Sequence, residues 1–228
     1  MARNHAECQA MIAGCQAADV PLFVAYYRRA LPRFQKIKTL LDEGAIGEPR
    51  LVTVTLYQPP SPDELDPAAL PWRVRPDIAG AGRFLDLASH MLDFLDFALG
   101  PIRAARGFAA NQAGRYPAED IVSGAFVFEA GAQGMGTWCF TAYGHADRTE
   151  IVGTQGKLTY STFDAQPITL TTAAGVTELA YDYPAHIQQP LIQSVVEALN
   201  GVGECPSTGA SGARTSRVMD ALLRPNAP

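Results

Sequence analysis

At 228 residues, with 47% apolar side chains, 18% charged side chains and a formal net charge of −5, the chain has the make-up of a folded protein that buries its own core. The acidic balance excludes the usual basic footprint of a nucleic-acid binder, and no apolar run approaches the ~20 residues of a membrane span. Cys8, Cys15, Cys139 and Cys205 form neither a CxxC pair nor a zinc-type cluster, which points to a reducing, cytoplasmic setting and to no metal.

Residues 4–18 read as a helix capped by Asn4, with Ala6, Met11, Ile12 and Cys15 turned inward. The apolar run PLFVAYY (residues 21–27) follows directly and reads as a buried strand of the parallel type. LPRFQKIKTLLDEGAIG is a second helix, with Phe34, Ile37, Leu40 and Leu41 on one side and Gly44 or Gly47 at its end. RLVTVTLYQ alternates like a strand. Residues 59–79 hold six of the seventeen prolines and read as a long loop carrying Trp72 and Arg73.

After the segment 80–100 the pattern turns to strands. IRAARGFAANQ, DIVSGAFVFEAG, QGMGTWCFTAY, RTEIVGTQGKLTYST, PITLTTAAG and VTELAYDY follow one another between glycine-marked turns. Two helices, HIQQPLIQSVVEALNG and GASGARTSRVMDALL, close the chain. The expected class is α+β: an open, mostly antiparallel sheet of about six strands with helices on one face. Thr137, Trp138 and Phe140 are expected on the sheet surface, where an uncovered apolar face with Val127 would mark a homo-oligomer interface.

The segment GAGRFLDLASHMLDFLDFALG (residues 80–100) is apolar almost throughout, yet Asp86, His90 and Asp93 interrupt it at i, i+4 and i+7. On an α-helix these share one stripe, and an unpaired ionisable group there costs several kcal/mol to bury. One reading makes His90 a core histidine held by Asp86. The other makes it a proton carrier, since imidazole titrates near neutrality, with Asp86 orienting the ring or holding a substrate hydroxyl. Asp93 reads as structural, a partner for backbone or an arginine.

GAGRFLDLASHMLD resembles the GGGxxxDxGxHxxD segment of the glucose–fructose oxidoreductase, inositol dehydrogenase and MocA-type (Gfo/Idh/MocA) family. Ala81 and Ala88 stand where that pattern has glycine. NHAECQAMIAGCQAADVPLFVAYYRR looks like the last helix and strand of the family's nucleotide-binding domain, and LPWRVRPDIAGAG like its tryptophan–arginine loop. EIVGTQGKLTY and GASGARTSRVMDAL are similar to a sheet segment and to the closing helix. The resemblance implies a remnant of a Rossmann domain over residues 1–27 and a substrate-binding and oligomerisation domain over 28–228. It implies catalysis by His90 and Asp86, and substrate contacts from Trp72, Arg73, Tyr26 and Arg29. Without it, Trp72 and Arg73 read as pins of the long loop, and Tyr26, Tyr27, Arg28 and Arg29 as a solvated rim.

The family's activity is NAD- or NADP-dependent oxidation or reduction of a sugar, polyol or related compound. In relatives a Glu-Lys-Pro segment, whose lysine assists catalysis, lies just before the position of Met1. A dinucleotide site needs a glycine-rich turn between a strand and a helix, with an acidic residue about 20 positions on, and no such unit occurs here. The chain alone is therefore expected to bind no NAD or NADP and to be inactive by itself. The alternative reading is a non-catalytic module that dimerises through its sheet or binds a small ligand.

Overall fold

The structure is a computed structural model that describes residues 1–64 and 66–224. Strand β1 (Pro49–Tyr57) sends Val52, Val54 and Leu56 to a buried face and leaves Leu51 and Tyr57 exposed on the other. The same alternation recurs in β2 (Ile102–Ala110), β3 (Ile121–Phe128), β4 (Gln133–Cys139), β5 (Ala146–Gly153) and β6 (Gly156–Tyr160). With β7 (Ile168–Thr172) and β8 (Gly175–Leu179), the described residues build one eight-stranded sheet in the order β2-β3-β4-β1-β5-β6-β7-β8. All neighbours are antiparallel except β1 and β4, which run parallel from Leu51 opposite Gln133 to Tyr57 opposite Cys139.

Two strands more than expected are present. Thr154 and Gln155 break RTEIVGTQGKLTYST into the hairpin β5–β6, and β1 joins the later strands at the centre of the sheet rather than standing apart.

The helices lie on one face. Helix α2 (Pro32–Asp42) starts with proline, which needs no amide partner in the first turn, and buries Phe34, Ile37 and Leu40. A short helix α3 (Pro76–Ala79) precedes a π-helical turn, Phe84–Ala88, that runs into α4 (Ser89–Leu99). Helix α5 (Gln189–Leu199) buries only Leu191, while α6 (Gly209–Leu223) is capped by a reciprocal Thr208–Ser211 box. The core joins Phe34 and Ile37 of α2, Met91, Phe94 and Leu95 of α4, and Met219 and Leu222 of α6 to the inner sheet face. Close approach demands glycine at several sheet positions, two of them beside this core. A Cβ on Gly107 would sit 2.5 Å from the Leu222 carbonyl oxygen, and one on Gly136 2.3 Å from the Trp138 ring.

Trp138 and Phe140 are not on the outer surface. Both are buried on the helix-covered face, where the Trp138 indole packs edge-on to Phe84 at 5.3 Å and donates to Met91 Sδ at 3.4 Å. Thr137, one residue away, takes the outer position that the alternation leaves to it.

Helix α1 (His5–Ala17) is capped as expected, with Asn4 Oδ1 accepting from the Glu7 amide at 2.9 Å. Its inward face differs from the expected one. Only Cys8 is fully buried, against Ser216 of α6 at 3.2 Å, while Met11 is 42% exposed. The run 21–27 forms no strand of a sheet. It makes a single antiparallel bridge, Phe23 to Thr208, reinforced by Gly209 N–H to the Leu22 carbonyl at 2.7 Å. A parallel-type strand needs neighbours on both sides, and the described residues provide only this edge of chain leading into α6.

Candidate functional site

The ionisable stripe divides in two. At its far end Asp93 is buried and accepts from Arg29 Nε at 2.8 Å, from Arg29 Nη2 at 2.7 Å and from the Thr215 hydroxyl at 3.3 Å. Asp96 completes the cluster with Arg214, at 2.6 and 3.0 Å. Burial opposes the Arg29 charge, but Asp93 and Asp96 outweigh it and hold its pKa above the ordinary value. Arg29 lines neither of the clefts at the other end of the stripe. Its side chain is committed to this internal ion pair and to the Pro206 carbonyl at 3.1 Å.

The near end of the stripe faces a cleft of about 390 Å³ lined by Asp86, Ser89, His90 and Tyr26, together with the 22–25 segment. A second cleft of about 280 Å³ adjoins it across Leu85 and Asp86, with Trp72 and Arg73 on its wall. Asp86 joins the two, accepting from Arg73 Nε at 3.1 Å, while the Arg73 guanidinium stacks over Trp72 at 4.6 Å. Of the six expected site residues, the fold thus gathers His90, Asp86, Tyr26, Trp72 and Arg73 along one continuous depression, and Arg29 alone lies elsewhere.

Asp86 does not hydrogen-bond to His90. It lies in the π-helical turn, which is wider than an α-turn and changes the angle between positions four apart. Instead the imidazole is held by rings: Tyr26 edge-on at 5.5 Å, Tyr27 tilted at 5.4 Å and Phe163 edge-on at 6.4 Å. Its Nδ1 is buried with no hydrogen-bond partner. Burial, then the nearby Arg28 charge and the amino group of Met1, push the His90 pKa down to about 3. The ring is accordingly neutral at physiological pH, with one nitrogen lone pair able to accept a proton. The Tyr26 hydroxyl is also buried without a partner, and burial followed by Asp93 raises its pKa.

Sequence reasoning missed Phe163, which comes from the loop after β6 and carries no local motif. Tyr27 and Arg28 were legible only as neighbours of Tyr26. Among the described residues no three His, Cys, Asp or Glu side chains gather to hold a metal ion. The glycines ahead of the helix do not cradle a phosphate either. A Cβ on Gly80 would fall 2.5 Å from Leu85 and one on Gly82 2.7 Å from Ala118, so protein already fills that space. The turn also follows α3 rather than a strand, so this turn does not fit a dinucleotide's pyrophosphate.

Known proteins resemble the chain over most of its length. The chain is 29% identical over 220 residues to Oxidoreductase P35 of Formosa agariphila, covering 96% of this chain and 68% of that protein. It is 27% identical over 214 residues to 1,5-anhydro-D-fructose reductase of Ensifer adhaerens, covering 90% of this chain and 62% of the relative. Among solved structures, the WlbA dehydrogenase of Bordetella pertussis in complex with NADH and UDP-GlcNAcA superposes with a TM-score of 0.79 at 24% identity, over 97% of this chain and 66% of that one. The chain thus spans about two thirds of the length of these proteins. The sequence profile of the GFO/IDH/MocA C-terminal domain matches residues 34–159, more than half of the chain, and the chain belongs to that family.

Proposed function

We propose that this chain is the substrate-binding part of an NAD(P)-dependent oxidoreductase that acts on a sugar or polyol. In this reading His90 exchanges a proton with the substrate hydroxyl. The observation that carries it is the neutral, ring-held His90 lining a cleft beside Asp86. With Nδ1 buried, Nε2 is the nitrogen left to meet a ligand. The neutral form is the one a general base requires, and the burial that keeps His90 neutral also lowers its basicity. Asp86, tethered by Arg73, is placed to accept from a neighbouring hydroxyl, and Trp72 offers an apolar ring to a sugar face.

The relatives support the substrate class: one is a reductase of 1,5-anhydro-D-fructose, and a structural neighbour holds NADH with a nucleotide sugar. The nicotinamide cofactor, when bound, supplies the hydride chemistry. The glycine turn at 80–82 offers its pyrophosphate no cradle, and residues 1–27 are read as the edge of a nucleotide-binding unit and 28–228 as the substrate domain. The outer sheet face, with Leu51, Tyr57, Phe108 and Met135 exposed, supports self-association as a homo-oligomer.

The test is a nuclear magnetic resonance titration of the chain with myo-inositol and 1,5-anhydro-D-fructose, beside a fluorescence titration with NADH and NADPH. Shifts confined to His90, Asp86, Tyr26 and Trp72, lost in His90→Ala, are the expected result, with no dinucleotide binding. Shifts clustered elsewhere, or micromolar binding of either dinucleotide, would overturn the reading.

A further inference from the structure

A histidine ring is normally oriented by a hydrogen bond at the nitrogen that does not do the work. His90 lacks that bond, since Nδ1 has no partner, and the second side-chain torsion of histidine is soft. Packing alone must then fix the plane of the imidazole. Two of the three rings that pack on it, Tyr27 and Phe163, share another neighbour.

That neighbour is Arg28. It is 4% exposed, yet its guanidinium meets no carboxylate among the described residues. Nε donates to the Thr162 carbonyl at 3.1 Å, and Nη1 has no partner. Ring faces pack against it: Cζ lies 4.5 Å from the centre of Phe163, 4.8 Å from Tyr27 and 5.8 Å from Phe34, while the Tyr27 and Tyr183 side chains and the Asp147 carboxylate favour its charge electrostatically. The Phe163 loop is pinned from its other side. The Asp147 carboxylate accepts from the amides of Thr162, Phe163 and Asp164, at 3.0, 2.5 and 3.1 Å, and Arg33 donates to the Ser161 carbonyl at 3.1 Å.

We propose that Arg28 is a positioning residue for His90: seated between Tyr27 and Phe163, it fixes the two rings that set the plane of the imidazole. Lysine cannot replace it, because a compact ammonium offers no flat face to stack on two rings at once. The charge has a second effect. The groups around the imidazole are Tyr26, Tyr27 and Arg28 from the turn 26–28, Asp86 on its own helix and engaged by Arg73, and the Met1 amino group; Asp164 on the Phe163 loop is paired with His145. After burial, Arg28 weighs most in disfavouring an imidazolium.

The inference rests on His90 being the proton-transfer group, but its test reads the ring itself and is independent of turnover. The chain is labelled with ¹⁵N-histidine, and the His90 ring nitrogens are followed against pH in the wild type, Arg28→Met and Arg28→Lys. The wild type should show a single tautomer that remains unprotonated to below about pH 5. Both variants should show a tautomer mixture with broadened lines. Arg28→Met alone should raise the apparent pKa by a unit or more toward the ordinary value of about 6.5. A folded Arg28→Met with the wild-type His90 spectrum would overturn the proposal, and so would a lysine variant that reproduces that spectrum. Should Arg28→Met not fold, Phe163→Leu removes one ring of the clamp and must produce the same mixture; an unchanged His90 spectrum there overturns it equally.

Discussion

Replacing Arg29 with methionine should cost the chain about 3–5 kcal/mol, the penalty of stranding a buried charge. Arg29 and Asp93 are 3% and 1% exposed, and their two short bonds are the main compensation for taking both ions out of water. Without Arg29, Asp93 keeps only the Thr215 hydroxyl at 3.3 Å, and the Pro206 carbonyl loses its donor. Asp96 loses its Arg29 contact at 3.3 Å but keeps Arg214 at 2.6 and 3.0 Å. The double variant Arg29→Met with Asp93→Leu removes both ions at similar volume. It should return to within about 1 kcal/mol of the wild type, since a well-packed apolar pair replaces a buried salt bridge at little or no cost. Urea unfolding followed by circular dichroism measures both, with the slope checked for constancy. A single variant that loses less than about 1 kcal/mol, or a double variant no more stable than the single, would refute the reasoning. Such a result would return Arg29 to the substrate contact that the family resemblance implies for it.

The pH dependence of His90 has a definite sign. Unfolded, the imidazole protonates near its ordinary value of about 6.5, and folded only near about 3, so between these the unfolded chain holds more protons and stability falls as the pH drops. The slope from this one group is at most about 1.4 kcal/mol per pH unit; His90→Leu should lose it, and urea melts at about pH 7 and about pH 4.5 with equal differences in variant and wild type would count against the assignment. Gly136→Ala should destabilise by about 1–3 kcal/mol, because the added Cβ would press on Trp138; a variant melting at the wild-type temperature would contradict that contact. Light scattering at micromolar concentration should show a dimer or larger, and Met135→Lys on the outer face should convert it to monomer without loss of melting temperature, whereas a monomeric wild type would dismiss the sheet interface.

Much of this fold could be read before the structure. The alternation of RLVTVTLYQ and of the strands that follow gave their faces wherever one side is apolar, and the helices of residues 32–42 and 209–223 carry capping and periodicity signals that act locally. The misreadings have physical causes. The sequence pattern puts Trp138 and Phe140 on the surface because alternation gives two faces but not which one the helices cover. The run 21–27 has the composition of a buried strand, yet composition cannot supply hydrogen-bonding neighbours. Ideal α-helical spacing puts Asp86 and His90 in contact, and the π-helical turn upsets it. Arg29 and Arg28 are adjacent in the chain, and nothing in their spacing tells that one meets two carboxylates and the other three aromatic rings. The parallel pairing of β1 with β4 depends on contacts remote in sequence and has no local signature.

That pairing has a consequence for how the chain is made. Strand β1 is synthesised early but sits in the middle of the finished sheet, between β4 and β5, so residues 49–57 must wait for residues 133–139 and 146–153 before either edge is satisfied. Helices α2 and α4 are complete long before then and can shield the apolar side of β1, whereas its open edges remain free to pair with another chain. The β2–β3–β4 meander can form by itself from short-range contacts, leaving insertion of β1 as the step with the greatest loop-closure cost. Folding speed and losses to aggregation during synthesis should therefore respond most to substitutions along β1 and at the facing edge of β4, even where the finished structure tolerates them.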